Sequence, residues 1–224
     1  MKVKLISSSK ASRDMASSGI YDAQELIAFC ARVSNPSNQM NSATAPKLLK
    51  YLAKHKHWSP FEMVDIVMEI ETTRDIGRQI LRHRSFAFQE FSQRYADPTQ
   101  DLGFVWRDAR LQDLKNRQNS IETDDEELQK QWQIKQGLLI NEVDNAYKWA
   151  IENGIAKEQA RAVLPEGLTK SRMYMKGSLR SWIHYCQVRM DPSTQKEHRE
   201  IAEMAWNEII KLFPSLDGIL ANAE

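Results

Sequence analysis

Apolar and polar positions along this chain follow two periods, and the two together predict a mixed fold. Val3 and Leu5 alternate with Lys2 and Lys4, which predicts a first strand over residues 2–8. Val64, Ile66, Met68 and Ile70 alternate with Asp65, Glu69 and Glu71, the pattern of a strand packed on one face and wet on the other. Residues 168–178 read as a further strand. Elsewhere the spacing is helical. Asp22 with Glu25 makes a capping box ahead of Leu26, Ile27, Cys30 and Ala31, so a helix is expected over 22–33. Further helices are predicted over 45–56, where a segment containing Pro60 follows, and from a Thr73 cap through residues 74–84. A second capping box, Thr123 with Glu126, opens a long helix over about 124–152, with Leu128, Trp132, Leu139, Val143, Ala146 and Ala150 on one side. A short helix ends at Pro165, another covers 178–189, and Thr194 with Glu197 caps a last one through about 213. Residues 96–122 read as loop-rich. No repeat or linker divides the chain, so the expected fold is one α+β domain over residues 1–224, a small, mainly antiparallel sheet flanked by long helices.

Composition narrows the classes. With 42% apolar residues in 224, the chain can bury a sizeable core. Its 31 basic residues against 30 acidic ones give a net charge of +1, without the basic excess of a duplex-binding domain. No apolar run approaches the roughly 20 residues that cross a bilayer, and the first residues lack a secretory apolar segment. A soluble, cytoplasmic protein is expected, with no membrane or nucleic-acid partner. Cys30 and Cys186 do not make a disulfide framework; both sit in apolar, helical contexts that suit buried small hydrophobes. His55 and His57 fall short of a ligand set and no CxxC or HExxH spacing occurs, so no metal is expected.

Charge is unevenly spread. Between Thr72 and Tyr95 stand five arginines, no lysine, and only Asp75 and Glu90 as acids. On a helix Arg74, Arg78 and Arg82 share one face and repel one another. Either acids elsewhere in the fold or solvent offset that repulsion, or an anionic ligand does, since guanidinium forks match phosphate and carboxylate geometry. The following residues, with Phe86, Phe88 and Phe91 among hydroxyl, amide, acid and guanidinium groups, favour a pocket with apolar walls and a few convergent polar groups.

Arg82-His83-Arg84, seven residues and then Ser92, with Arg94 and Tyr95 trailing, resembles the RHR-x7-S signature of the flavin-dependent thymidylate synthases. Upstream, His57-Trp58-Ser59-Pro60-Phe61-Glu62 resembles the family's H-x-[ST]-P-F-E segment. Downstream, Gln159-Ala160-Arg161 with Leu164-Pro165 looks like its Q-A-R-x-x-L-P element. Ser178-Leu179-Arg180-Ser181, His184, Arg189-Met190-Asp191, Gln195 and Glu197 are similar to its last stretch. The four blocks stand in the family's order and cover most of residues 20–200. Ala87, Gln89 and Ser178 depart from residues found in relatives; they change hydrogen-bond partners rather than fixed charges, which leaves the reaction class intact.

The resemblance implies synthesis of dTMP from dUMP, with the one-carbon unit from 5,10-methylenetetrahydrofolate and reducing equivalents from NADPH through FAD, and without a protein nucleophile. It implies that Arg189 is catalytic, promoting loss of the uracil N3 proton. It assigns dUMP to Gln79, Ile80, Leu81, Arg82, Glu90, Phe91, Ser92, Gln93, Arg94, Arg161 and Arg189. It assigns FAD to His57, Ser59, Arg82, His83, Arg84, Glu90, Ser178, Leu179, Arg180 and His184. It further implies a homotetramer with FAD sites at subunit interfaces. No histidine or lysine lies where sequence alone marks it as a base for Ser92, which therefore reads as a binding group. With no GxGxxG and no P-loop, side chains must meet the phosphates.

Two other readings stay open. One keeps flavin and folate chemistry but methylates or hydroxymethylates another pyrimidine nucleotide such as dCMP. The other is a single-strand nucleic-acid module built on the arginines and Phe86, Phe88 and Phe91; the near-zero net charge argues against it.

Overall fold

A computed structural model describes residues 1–220; the last four residues of the expected 1–224 domain lie outside the described residues. The fold is α+β, built on a small antiparallel sheet. The central strands are β2 (Asp65–Thr73) and β6 (Lys170–Ser178), paired so that Met68 faces Met175 and Ile70 faces Met173. β1 (Lys2–Ser8) adds to the outer side of β2, with an irregularity between Leu5 and Ser7, and β3 (Ala87–Glu90) adds to β6. The order is β1-β2-β6-β3.

The period-two pattern of β2 is realised as predicted. Ile66, Met68 and Ile70 are fully buried, while Asp65, Glu69 and Glu71 stay half-exposed, where Glu71 pairs with Arg172 and Asp65 with Lys176. Against the buried face pack α2 (Ala23–Ala31), α3 (Ala45–Lys54), α8 (Leu179–Arg189) and α9 (Lys196–Leu212). The Asp22/Glu25 capping box closes the start of α2. Trp182 fastens α8 to the sheet by donating its indole N–H to the Ile66 carbonyl at 3.2 Å. At Gly177 of β6 the Phe86 ring lies where a side chain would begin: a Cβ would sit 2.5 Å from Phe86 Cδ1.

Shorter elements are α1 (Arg13–Ser17), α4 (Arg74–Ile80), α5 (Pro98–Asp101), a hairpin of β4 (Arg110–Gln112) and β5 (Ser120–Glu122), and α7 (Lys157–Ala160). The long α6 (Glu126–Glu152) buries Gln136, whose amide bonds the Arg107 backbone, and Val143, Tyr147 and Ala150, which form a second small core with Ala160 and Leu164. Of its other apolar positions, Leu128, Trp132 and Leu139 are exposed in the single chain, and so is Ala146. Among the described residues no helix is long and apolar enough to cross a membrane.

Several boundaries differ from expectation. The helix predicted through Arg84 ends at Ile80, and a turn closed by His83 N–H on the Ile80 carbonyl redirects the chain so that Phe86 reaches Gly177 and residues 87–90 pair with β6. Arg82 and Arg84 therefore leave the helical stripe. The cap of α6 is Asp125, not Thr123; Thr123 Oγ1 instead accepts from the Asp125 N–H. Thr73 and Thr194 sit beside helix starts without capping them, because Thr73 Oγ1 bonds Asp75 and Arg107 and Thr194 Oγ1 donates to the Val188 carbonyl. The loop-rich stretch 96–122 contains α5 and the β4–β5 hairpin.

Candidate functional site

Strand β6 runs straight into α8, and that junction builds the site. Ser178 ends the strand and caps the helix, its Oγ accepting from Ser181 N–H at 3.2 Å and donating to Glu62. Leu179, Trp182, Ile183, Tyr185 and Cys186 turn into the core. Arg180, His184 and Gln187, at helical spacing, are left on the opposite side, where with Trp58, Glu62 and Ser85 they line a cavity of roughly 340 Å³. Arg180 Nη1 donates to Glu62 at 2.7 Å. Burial pushes the Glu62 pKa up, but hydrogen bonds from Ser178 and Arg180 outweigh it and hold the carboxyl below its usual range.

Gln187 also borders the next cavity along α8, of roughly 520 Å³, whose walls include Gln79, Arg189, Asp191, Thr194 and Gln195. Arg189 Nε donates to His83 Nε2 at 2.8 Å. Burial first, then the Arg189, His184 and Arg82 charges, lower the His83 pKa to about 4, so the ring is neutral at pH 7 and accepts the bond. The bond fixes one edge of the guanidinium and leaves its two terminal nitrogens without an acid partner among the described residues. Arg82 and Arg84 are exposed and likewise have no acid partner among the described residues. The remaining arginines of the segment have partners. Arg74 pairs with Glu90 at 3.2 Å, and Arg78 pairs with Glu166. Pairing with acids thus accounts for Arg74, Arg78 and Arg94, while Arg82 and Arg84 face solvent.

The other expected residues fall in three places. Ile80 and Leu179 have fully buried side chains, so only their backbones can face a ligand, while Leu81 is exposed. Glu90 accepts from Ser171 at 2.9 Å and pairs with Arg74; Phe91 and Ser92 are half-buried, and Gln93 is buried with Nε2 unpartnered. Arg94 and Arg161 meet at Glu158, Arg94 through an ion pair at 3.4 Å and Arg161 through Nε to the Glu158 carbonyl at 3.3 Å. Among the described residues no hydrogen bond or ion pair joins Arg94 or Arg161 to Arg189. His57 and Ser59 are exposed ahead of the Glu62 turn.

Ser92 Oγ accepts from the Arg94 N–H and bonds no histidine or lysine among the described residues. Burial pushes the Cys186 thiol well up, and Cys30 up as well, so neither is a ready thiolate. Glu62, Gln187 and Ser85 were not among the expected ligand contacts. The signal for Gln187 was available: Arg180, His184 and Gln187 recur at four and three residues on a helix whose opposite face carries Leu179, Trp182, Ile183 and Cys186.

Fold and site define an α+β enzyme domain whose cavities are walled by guanidinium, imidazole and amide groups from one sheet-to-helix junction. Residues 18–215 match the family described as thymidylate synthase complementing protein. The chain is 50% identical over 195 residues to a flavin-dependent thymidylate synthase of Synechocystis, covering 87% of this chain and 88% of that one. It is 47% identical over 216 residues to a probable flavin-dependent thymidylate synthase of Paramecium bursaria Chlorella virus 1, covering 96% and 97%. A crystal structure of a UMP/dUMP methylase from Streptomyces cacaoi has the same fold, with a TM-score of 0.77 at 24% identity over 98% of this chain and 94% of that one. The chain belongs to the flavin-dependent thymidylate synthase family.

Proposed function

We propose that this protein makes dTMP from dUMP by reductive methylation, taking the one-carbon unit from 5,10-methylenetetrahydrofolate and electrons from NADPH through FAD. The observation that carries the reading is Arg189, half-buried, braced by a neutral histidine and free of acid partners among the described residues, on the wall of a cavity that adjoins a second one along α8.

The residues present fit FAD. The Arg180 and His184 stripe, with Arg82 and Arg84 just ahead of Ser85 in the cavity wall and without an acid partner among the described residues, offers cations and N–H donors of the kind a pyrophosphate and a flavin ring need. When bound, FAD supplies the electron transfer from NADPH. His57, Ser59, His83, Glu90, Ser178 and Leu179 are the further members of the FAD set in this reading. For the nucleotide, Gln79, Arg82, Ser92, Arg94 and Arg161 bind and orient, with the arginines on the phosphate. Arg189 acts on the base: a fixed guanidinium stabilises negative charge over N3 and O4, favours loss of the N3 proton and so raises the nucleophilicity of C5. His83 keeps Arg189 aimed and, being neutral, does not compete for that charge.

The two groups of expected nucleotide ligands, at Arg189 and at Glu158, support a homotetramer whose sites are completed across subunits. So does the apolar groove of roughly 890 Å³ between the β4–β5 hairpin and the exposed face of α6, with Leu111, Leu128, Trp132 and Leu139 in its walls. The test is direct. Purified protein should be yellow, and with dUMP, NADPH and methylenetetrahydrofolate should yield dTMP by mass spectrometry. A colourless protein inactive after FAD addition would refute the proposal, and turnover of dCMP in preference to dUMP would redirect it to another pyrimidine.

A further inference from the structure

Gln79, at the end of α4, and Gln195, Glu197 and His198, at the start of α9, are joined with Tyr185 of α8 in one chain of hydrogen bonds. Gln195 Nε2 lies 3.0 Å from Glu197 Oε2, and Gln79 Nε2 lies 2.8 Å from Gln195 Oε1. His198 Nδ1 lies 3.2 Å from Gln79 Oε1, and His198 Nε2 lies 3.2 Å from the Tyr185 hydroxyl. Taken singly, amide orientations and histidine tautomers are matters of assignment. Here one end of the chain is fixed. Glu197 is gripped by Arg107 at 3.1 Å and Arg110 at 2.6 Å, and as a carboxylate it only accepts.

The direction of every other bond follows. Gln195 must turn its NH₂ to Glu197, which leaves its carbonyl for the NH₂ of Gln79. The Gln79 carbonyl then faces His198, whose Nδ1 must carry the hydrogen. The fully buried ring is neutral, its pKa lowered to about 3 by burial and then by Arg189 and His83, so Nε2 accepts from Tyr185. The Gln79 amide is thereby held in one of its two orientations. Its oxygen serves His198, one Nε2 hydrogen serves Gln195, and the other hydrogen has no partner among the described residues. Gln79 lines the same cavity as Arg189.

We infer that Gln195 and Glu197 are positioning residues for Gln79: through this one-way chain they hold its amide with an N–H offered to the nucleotide, a contact that takes a carbonyl or phosphate oxygen and rejects an amine. The inference rests on reading the Arg189 cavity as the nucleotide site. The test uses the intact FAD-loaded protein with ¹⁵N-labelled histidine, calorimetry with dUMP as probe, and steady-state kinetics. In the wild-type protein at pH 7, the His198 ring, assigned by its loss in His198→Phe, should show the Nδ1–H tautomer. Gln195→Met cuts the chain while leaving the Glu197–arginine clamp in place. It should give a mixed His198 tautomer, about tenfold weaker dUMP binding and a KM rise of similar size, with kcat changed far less. An Nε2–H or charged His198 in the wild-type protein, which needs no variant to observe, overturns the inference, as does a Gln195→Met variant that binds dUMP within twofold of wild type. Absence of dUMP binding by wild-type protein with the Nδ1–H tautomer present would instead overturn the assignment of the cavity.

Discussion

Arg107 and Arg189 carry the same charge and both are half-buried, yet their nitrogens are spent in opposite ways. Arg107 gives Nε to the Gly167 carbonyl at 3.1 Å, Nη2 to Thr73 and Asp75, and Nη1 to Glu197. Arg189 gives Nε to a neutral imidazole and nothing to an acid among the described residues. The first arrangement ties the segment before β4 to β2 and α9; the second keeps a positive charge poised. Counting donors already used, rather than counting arginines, separates a structural cation from one held for a ligand.

The largest expected effect on stability would sharpen this contrast. Arg107→Ala takes a partly buried partner from Asp75 and Glu197, although Glu197 keeps Arg110, and losing charge-assisted hydrogen bonds of this kind costs about 1.5–3 kcal/mol. Urea unfolding should show a loss in that range. Full stability with lost activity would move Arg107 into the ligand class.

Arg189→Ala should do the reverse. The fold and bound flavin should persist, while kcat falls about 10²–10³-fold, the usual cost of deleting a group aimed at developing charge. Wild-type turnover in this variant would break the contrast from the other side.

How much of this was legible beforehand varies by physical cause. β2 was visible because a half-buried strand must alternate, and the Asp22/Glu25 box because capping is local chemistry. Helix α4 was overextended because nothing in residues 81–84 opposes a helix locally; it is stopped by the pairing of β3 with β6 and by the fit of Phe86 over Gly177. For the same reason the expected stripe of Arg74, Arg78 and Arg82 is only partly one face. Thr123 and Thr194 looked like caps because sequence shows candidate caps but not competing partners. The Arg189–His83 bond joins residues 106 positions apart and has no local signature, although the motif resemblance named both residues.

Acid should also separate the two regions, with a smaller effect. His198 is buried and neutral in the folded chain, with its pKa lowered to about 3, against roughly 6.5 when unfolded. Between these values the unfolded chain binds the proton and the folded one does not, so stability is complete above about pH 6.5 and falls as pH drops towards 3. From pH 7 to 5 this histidine alone accounts for roughly 2 kcal/mol. His83, lowered to about 4, adds in the same direction, whereas Glu197, held near 2 by its arginines against the pull of burial, starts to contribute only below the ordinary glutamate range. Denaturation followed at pH 7, 6 and 5 should show a slope that His198→Phe reduces; an unchanged slope would mean that the folded chain protonates His198 readily.

Arg78 tests the contrast at its weakest point, because it has an acid partner but keeps it in water. Its side chain is 61% exposed and that of Glu166 is 47% exposed. Charges in that setting lose little hydration on pairing, so their attraction is mostly cancelled by screening and by the entropy of holding two long side chains together. Arg78→Ala should therefore shift unfolding free energy by less than about 1 kcal/mol and leave dUMP binding within twofold. A shift as large as that of Arg107→Ala would show that pairing itself, irrespective of burial, marks the structural arginines. A dUMP defect without a stability defect would show that Glu166 is a placeholder and that Arg78 belongs with Arg82 and Arg189 among the cations kept for an anion.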